Sequence, residues 1–169
     1  MPSKALLAQH LIAKAWHDTQ ETGVTNTPWS WMDAYPVAEL TLPNQDAHIV
    51  LNTDSGQALA FGPALMTNES FNTDHMIAIA AHKNTQFGSL KNIKAGDVIS
   101  LNHKTGEHRN FRVTKGRIID TRTEALLDQG PNSLALVTCY PFDAVSFNGP
   151  LRYVIFAERV DIESNDPLS

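Results

Sequence analysis

Only one cysteine, Cys139, occurs in the 169 residues, which excludes an internal disulfide and every zinc site built on several thiolates. Charge is sparse as well: 18% of residues are charged, with 13 Lys+Arg against 18 Asp+Glu and a formal net charge of −5. That balance excludes a general polyanion binder and a polybasic membrane-surface protein, and leaves room only for a local basic patch. No apolar run approaches the roughly 18 residues of a membrane-spanning helix. The longest, Met76 to Ala81, has the length of a strand. The start, Met1-Pro2-Ser3-Lys4, lacks the charged and apolar regions of a signal peptide. No repeat, low-complexity tract or interdomain linker is present. What remains is a chain with 42% hydrophobic residues, long enough to bury about two thirds of its unfolded surface in one globular domain without staples.

From Lys4 to Trp16 the residues Ala5, Ala8, Leu11, Ile12, Ala15 and Trp16 recur at steps of three and four, with Ser3 in place as an N-cap. This spacing predicts an amphipathic helix. The stretch Thr19 to Pro36 has no period, and its Trp29 and Trp31 are expected to pack on the body as aromatic cover for a core edge. Residues 1–35 thus read as a helix and Trp-containing connection, and residues 36–169 as the main body. After Pro36 the pattern becomes short β-rich runs: Ala38 to Leu42, His48 to Asn52, Gln57 to Phe61, His75 to Ala81, Asp97 to Asn102, Arg109 to Ile119, Leu134 to Cys139 and Arg152 to Asp161. Turn residues separate them at Asp54-Ser55-Gly56, Lys94-Ala95-Gly96, Lys104-Thr105-Gly106 and Gln129-Gly130-Pro131. This is the form of a barrel or sandwich, and eight strands suffice to close a small barrel.

Three strand ends carry reactive side chains. Cys139 ends the run Leu134-Ala135-Leu136-Val137-Thr138, and Pro141 stops ladder pairing just beyond it. The thiol is either a small core hydrophobe or a nucleophile at a sheet rim. His82 follows Met76 to Ala81 in the same way, and is either a hydrogen-bonded structural residue or an acid–base partner that favours the thiolate. Arg152 opens Leu151 to Ala157 behind Gly149-Pro150, as a surface ion-pair partner or as a donor to a developing oxyanion.

Taken together, Ile79-Ala80-Ala81-His82-Lys83-Asn84-Thr85-Gln86-Phe87, Leu136-Val137-Thr138-Cys139-Tyr140-Pro141-Phe142 and Gly149-Pro150-Leu151-Arg152-Tyr153 resemble the histidine, cysteine and arginine motifs of the sortase family of cysteine transpeptidases, in order and in separation. Leu59-Ala60-Phe61-Gly62-Pro63, Ala95-Gly96-Asp97-Val98-Ile99, the helix and Pro28-Trp29-Ser30-Trp31 extend the likeness over nearly the whole chain. It is nearest to the sortases of Gram-negative, especially marine, bacteria. The chain has Ala81 where the family commonly has Gly, Lys83-Asn84 where it often has Arg-Asp, and Ala135 where it usually has Thr.

The resemblance implies a mainly β fold, a closed eight-stranded sortase barrel with an N-terminal helix and short connecting helices. It implies that Cys139 attacks a C-terminal sorting signal related to Leu-Pro-x-Thr-Gly on a secreted substrate protein. A thioacyl enzyme forms, and an amine-bearing acceptor resolves it. His82 would be general acid and then base, Arg152 would steady the oxyanion or substrate backbone, and Ala80 and Thr138 would line the groove, Thr138 with an oxyanion contact. The family also implies a membrane anchor outside these residues and a catalytic domain facing the periplasm or cell surface, where a lone thiol has no internal partner for a disulfide.

Rival readings are weaker. His75 and His82, seven apart on an extended segment, are expected on opposite faces, and no histidine set has recognised zinc spacing. Asp54, Glu69 and Asp74 follow no calcium-loop pattern. No metal or other cofactor is expected. His103, Lys104, His108, Arg109, Arg112, Lys115 and Arg117 form the one basic concentration, with Phe111 as its single aromatic, and read as a solvated hairpin face; no nucleic-acid partner is expected. The serious non-enzymatic alternative is a barrel that binds peptide by strand addition without turning it over.

Overall fold

The structure, a computed structural model, describes residues 2–67, 70–71, 73–82, 86–142 and 149–161. Lys83-Asn84-Thr85 of the histidine motif and Glu69 lie outside them. The chain opens with helix α1 (Pro2–Thr22), longer than expected at both ends. Pro2 starts it, as proline's fixed φ and missing N–H allow, so Ser3 lies inside the first turn instead of capping it. The apolar period stops at Trp16, but Thr19 continues the buried face because its hydroxyl donates to the Ala15 carbonyl at 2.8 Å. On the exposed side Lys14–Asp18 and His17–Glu21 form i,i+4 pairs. Gly23, at φ 73°, ends the helix with its N–H on the Thr19 carbonyl.

Eight strands follow among the described residues: β1 (Pro36–Thr41), β2 (Ala47–Leu51), β3 (Ala64–Leu65), β4 (Ile77–Ala80), β5 (Val98–His103), β6 (His108–Asp120), β7 (Ser133–Cys139) and β8 (Leu151–Val160). They close into a barrel in the order β1-β2-β3-β4-β7-β8-β6-β5, β5 pairing back onto β1. The expected mainly β, closed eight-stranded barrel with a helix in front is therefore found. Short helices also occur, α2 (Gly56–Leu59) and a 3-10 turn at Gly88–Asn92. One expected strand is wrong. Gln57 to Phe61 begins as α2, because the Ser55 hydroxyl accepts the Ala58 N–H and its carbonyl the Leu59 N–H. The third strand is the two-residue β3, too short to show any alternation. Glycines with positive φ serve three of the expected turns, at Gly96, Gly106 and Gly130.

Most of the core lies inside the barrel, with Leu40, Ile77, Ile79, Phe87, Phe111, Leu134, Leu136 and Ile155 among its members. Alternate residues of β4, β7 and β8 pack on the outer face instead: Ala78, Ala135, Val137, Val154 and Phe156, together with Met76 just before β4 and Leu126 from the β6–β7 connection. Burial on both faces explains why these segments read as unbroken apolar runs. A third cluster joins Ile12 of α1 to Met32, Ala34, Leu51, Ala58 and Ala64, with Trp29 and Phe61 against it. Trp29 meets Phe61 edge-on at 5.0 Å. Trp31 does not pack as expected and is 77% exposed.

The basic hairpin is likewise not one solvated face. Alternation along the first part of β6 exposes Arg112 and buries Arg109, and past the bulge at Val113–Lys115 both Lys115 and Arg117 are exposed. The buried His103 and Arg109 flank the Phe71 ring at 4.4 and 5.7 Å. Glu107 accepts from Arg109 Nε at 2.5 Å and balances that buried charge.

Candidate active site

Strands β4 and β7 run parallel, so their C-terminal ends emerge at the same rim of the barrel. The register Ala80↔Val137, continued by the Ala81 N–H on the Val137 carbonyl at 3.1 Å, brings the residues after Ala80 level with Thr138 and Cys139. Strand β8 enters antiparallel at that rim, and Cys139 pairs directly with Arg152. Directly paired residues project to the same face with Cβ atoms about 5 Å apart. The parallel β4–β7 pair and the β7–β8 register thus converge three segments that are far apart in sequence.

His82, Cys139 and Arg152 line one cavity of about 340 Å³, together with Ala80, Thr138, Val137, Met66, Leu59 and Asp54. Cys139 is half-buried and His82 exposed. Arg152 is held by its own backbone surroundings: Nη1 donates to the Gly149 carbonyl at 2.7 Å and to the Leu151 carbonyl at 2.9 Å. Its guanidinium is therefore fixed at the rim instead of reaching into solvent for a carboxylate. Tyr153 extends this support by packing against Tyr140 and Phe142, on either side of Pro141.

Both residues expected to line the groove do border the cavity, but the Thr138 side chain has a particular duty. It is 2% exposed, and its hydroxyl donates to the Ala81 carbonyl at 2.8 Å. That bond ties the end of β7 to the residue before His82, and it occupies the hydroxyl hydrogen that an oxyanion contact would need. Thr138→Val is expected to cost about 1–3 kcal/mol, the penalty for leaving a buried carbonyl unpaired, with Thr138→Ser recovering most of it. Equal stability of the valine variant in denaturant unfolding would contradict this role.

A second cavity of about 450 Å³ shares Met66 with the first and continues along the outer face, lined by Met76, Ala78, Leu126, His75 and Asp128 among others. Small residues of β4 border both, Ala78 the second cavity and Ala80 the first. His75 and His82 border neighbouring cavities and are not placed by strand alternation, because both stand outside the four residues of β4.

The far wall of this second cavity is latched. Asp128 of the β6–β7 connection accepts the Gly130 and Met76 amides at 2.8 and 2.9 Å, and meets His75 Nδ1 at 2.6 Å. These bonds, the Gly130 amide first, hold its carboxyl below the usual carboxylate range. A lowered carboxyl stabilises this arrangement above its unfolded value and loses that contribution as pH falls through the lowered one. Acidification below about pH 4 is therefore expected to move the Met76 and Gly130 amide resonances together, and Asp128→Asn to abolish the acid-dependent shift. Resonances that stay fixed into acid would remove the latch. Asp120, the last residue of β6, is held at about 2 chiefly by its side-chain bond to Arg122.

Among the described residues no group of three or more His, Cys, Asp or Glu side chains is placed to hold a metal ion, and no helix is long and apolar enough to cross a membrane. Sequence reasoning missed Asp54, Leu59 and Met66 as cavity residues. Asp54 was visible only as part of a turn and as one of three loop carboxylates without a calcium pattern, and nothing in its neighbourhood pointed to the strand ends.

The family model for the sortase domain matches residues 40–160. In three dimensions the chain is similar to sortase A from Corynebacterium diphtheriae, with a TM-score of 0.66 at 21% identity over 82% of this chain and 67% of that one. A lid mutant of that protein gives 0.67 at 17% over the whole of both chains. Streptococcus agalactiae sortase C1, in complex with MTSET, gives 0.65 at 14% over 98% and 93%. At these identities the structural likeness speaks for the fold. No curated protein sequence matches.

Proposed function

Given that this chain belongs to the sortase domain family, we propose that it is a cysteine transpeptidase whose site is Cys139, His82 and Arg152. The observation that carries the reading is the meeting of these three strand ends in one cavity, with Cys139 and Arg152 as a direct cross-strand pair. Cys139 as thiolate attacks the carbonyl carbon of the scissile peptide bond. The C–N bond breaks as the departing nitrogen takes a proton from His82, leaving a thioester on Cys139. An acceptor amine then attacks the thioester, a proton from its nitrogen passes to His82, and the thiolate leaves. Arg152 donates to the oxyanion of both tetrahedral intermediates. Ala80 and Thr138 border the substrate, the latter through its backbone, since its hydroxyl is engaged by Ala81.

The substrate in this reading is a secreted protein with a C-terminal signal related to Leu-Pro-x-Thr-Gly. Its extended chain lies in the cavity bordered by Ala80 of β4 and Val137 and Thr138 of β7. The domain works at the cell envelope, facing the periplasm or surface, with a membrane anchor outside these residues. Residues 1–35 form a front segment of the same single domain, and the three motifs together support a subtype of Gram-negative, especially marine, bacteria.

The test is kcat/KM for a fluorogenic Leu-Pro-x-Thr-Gly peptide across pH, with and without EDTA. The expected curve falls on both sides of an optimum, on the acid side because the thiol holds its proton and on the alkaline side because His82 has none to give. EDTA is expected to leave it unchanged. A rate rising steadily into alkali contradicts the thiolate–imidazolium pair, and recovery of intact peptide at every pH favours a binding module. Alkylation alone does not decide between them, because the thiol is not fully buried.

A further inference from the structure

Asp54 is the one carboxylate that borders the catalytic cavity among the described residues. It lies between β2 and α2 on a short segment held at both ends. Asn52 exchanges two bonds with the Tyr35 backbone at 2.9 and 3.0 Å, and Ser55 caps α2. The side chain is exposed. Among the described residues it has neither a hydrogen bond nor an ion pair, although His82 and Arg152 line the same cavity. It is thus a carboxylate on an anchored stretch of backbone, bordering the same cavity as His82 and Arg152 and paired with neither. It borders the cavity at the strand ends, whereas the carboxylate of the 450 Å³ cavity is Asp128.

The second half-reaction needs a group of that kind. At neutral pH an aliphatic amine arrives as an ammonium ion, and Arg152 beside the thioester opposes its approach. We propose that Asp54 is the specificity-determining residue for the acceptor: its carboxylate binds the incoming primary ammonium at the cavity mouth and selects cationic amines over water. This rests on the transpeptidase reading. In the balanced step the ammonium releases one proton to solvent and becomes the nucleophile. Its nitrogen forms the new C–N bond, a second proton passes to neutral His82, and the C–S bond breaks to give the Cys139 thiolate. Asp54 keeps its charge throughout and takes no part in bond exchange.

The experiment compares wild type with Asp54→Asn, which preserves size and removes only the charge. Both proteins are acylated with Leu-Pro-x-Thr-Gly peptides, then offered triglycine amide, a primary ammonium, or hydroxylamine, which is largely uncharged at neutral pH. Acylation rate and hydroxylamine capture are expected to be unchanged. The half-saturating concentration of triglycine amide is expected to rise about tenfold, the scale of one charge-assisted hydrogen bond, with hydrolysis taking the difference. An unshifted half-saturation, or an equal loss with both acceptors, overturns the assignment of Asp54 while leaving the transpeptidase reading intact. Failure of wild type to form a thioester with any such peptide overturns both.

Discussion

Cys139→Ala is expected to show no measurable transpeptidation and no covalent adduct, with a folded stability within about 1 kcal/mol of wild type. The chemical half follows because the thiol is the only nucleophile the mechanism offers, and loss of a covalent nucleophile costs on the order of 10⁶ in rate in enzymes that depend on one. The structural half follows from position. Cys139 ends β7, is half-buried, and pairs with Arg152 through a backbone ladder that alanine keeps. Peptide cleavage and thermal unfolding of the same sample check both. Cleavage at the wild-type rate would take the thiol out of the chemistry, and a large loss of stability would make Cys139 a packing residue.

For its partners the expected losses are about 10²–10⁴ in kcat/KM for His82→Ala and about 10²–10³ for Arg152→Ala. His82→Ala is also expected to erase the alkaline limb from the remaining pH profile, because that limb belongs to its proton. Arg152→Lys is expected to recover little. The guanidinium bonds two backbone carbonyls through Nη1 while its planar fork borders the cavity. A lysine ammonium is a point charge on a flexible stem and cannot do both. Full activity in the lysine variant would reduce Arg152 to its charge alone.

The barrel and the three strand ends that meet at its rim were legible in the sequence for a common reason. Strands buried on both faces leave continuous apolar runs, and the polar residue that ends each run stands out, as His82 and Cys139 do. What escaped has physical causes. Gln57 to Phe61 is apolar enough to pass for a strand, and only the Ser55 cap decides for a helix. Helix α1 outran its apolar period because Thr19 satisfies its own hydroxyl within the helix. The basic hairpin looked uniformly solvated because composition does not show that Phe71, a distant residue, shelters His103 and Arg109. Thr138 was read as an oxyanion donor because its partner, the Ala81 carbonyl, becomes a neighbour only through the parallel β4–β7 pairing. Asp54 stayed hidden because loop closure, not any local pattern, carries it to the cavity.

The central claim is a thioester on Cys139, and intact-mass analysis of protein mixed with a Leu-Pro-x-Thr-Gly peptide without added amine tests it most directly. The expected result is a mass increase equal to the acyl fragment ending at threonine, mapped by digestion to Cys139, cleared by hydroxylamine and absent from Cys139→Ala. An unmodified mass while the peptide is consumed, or an adduct that persists in the alanine variant, would contradict the account.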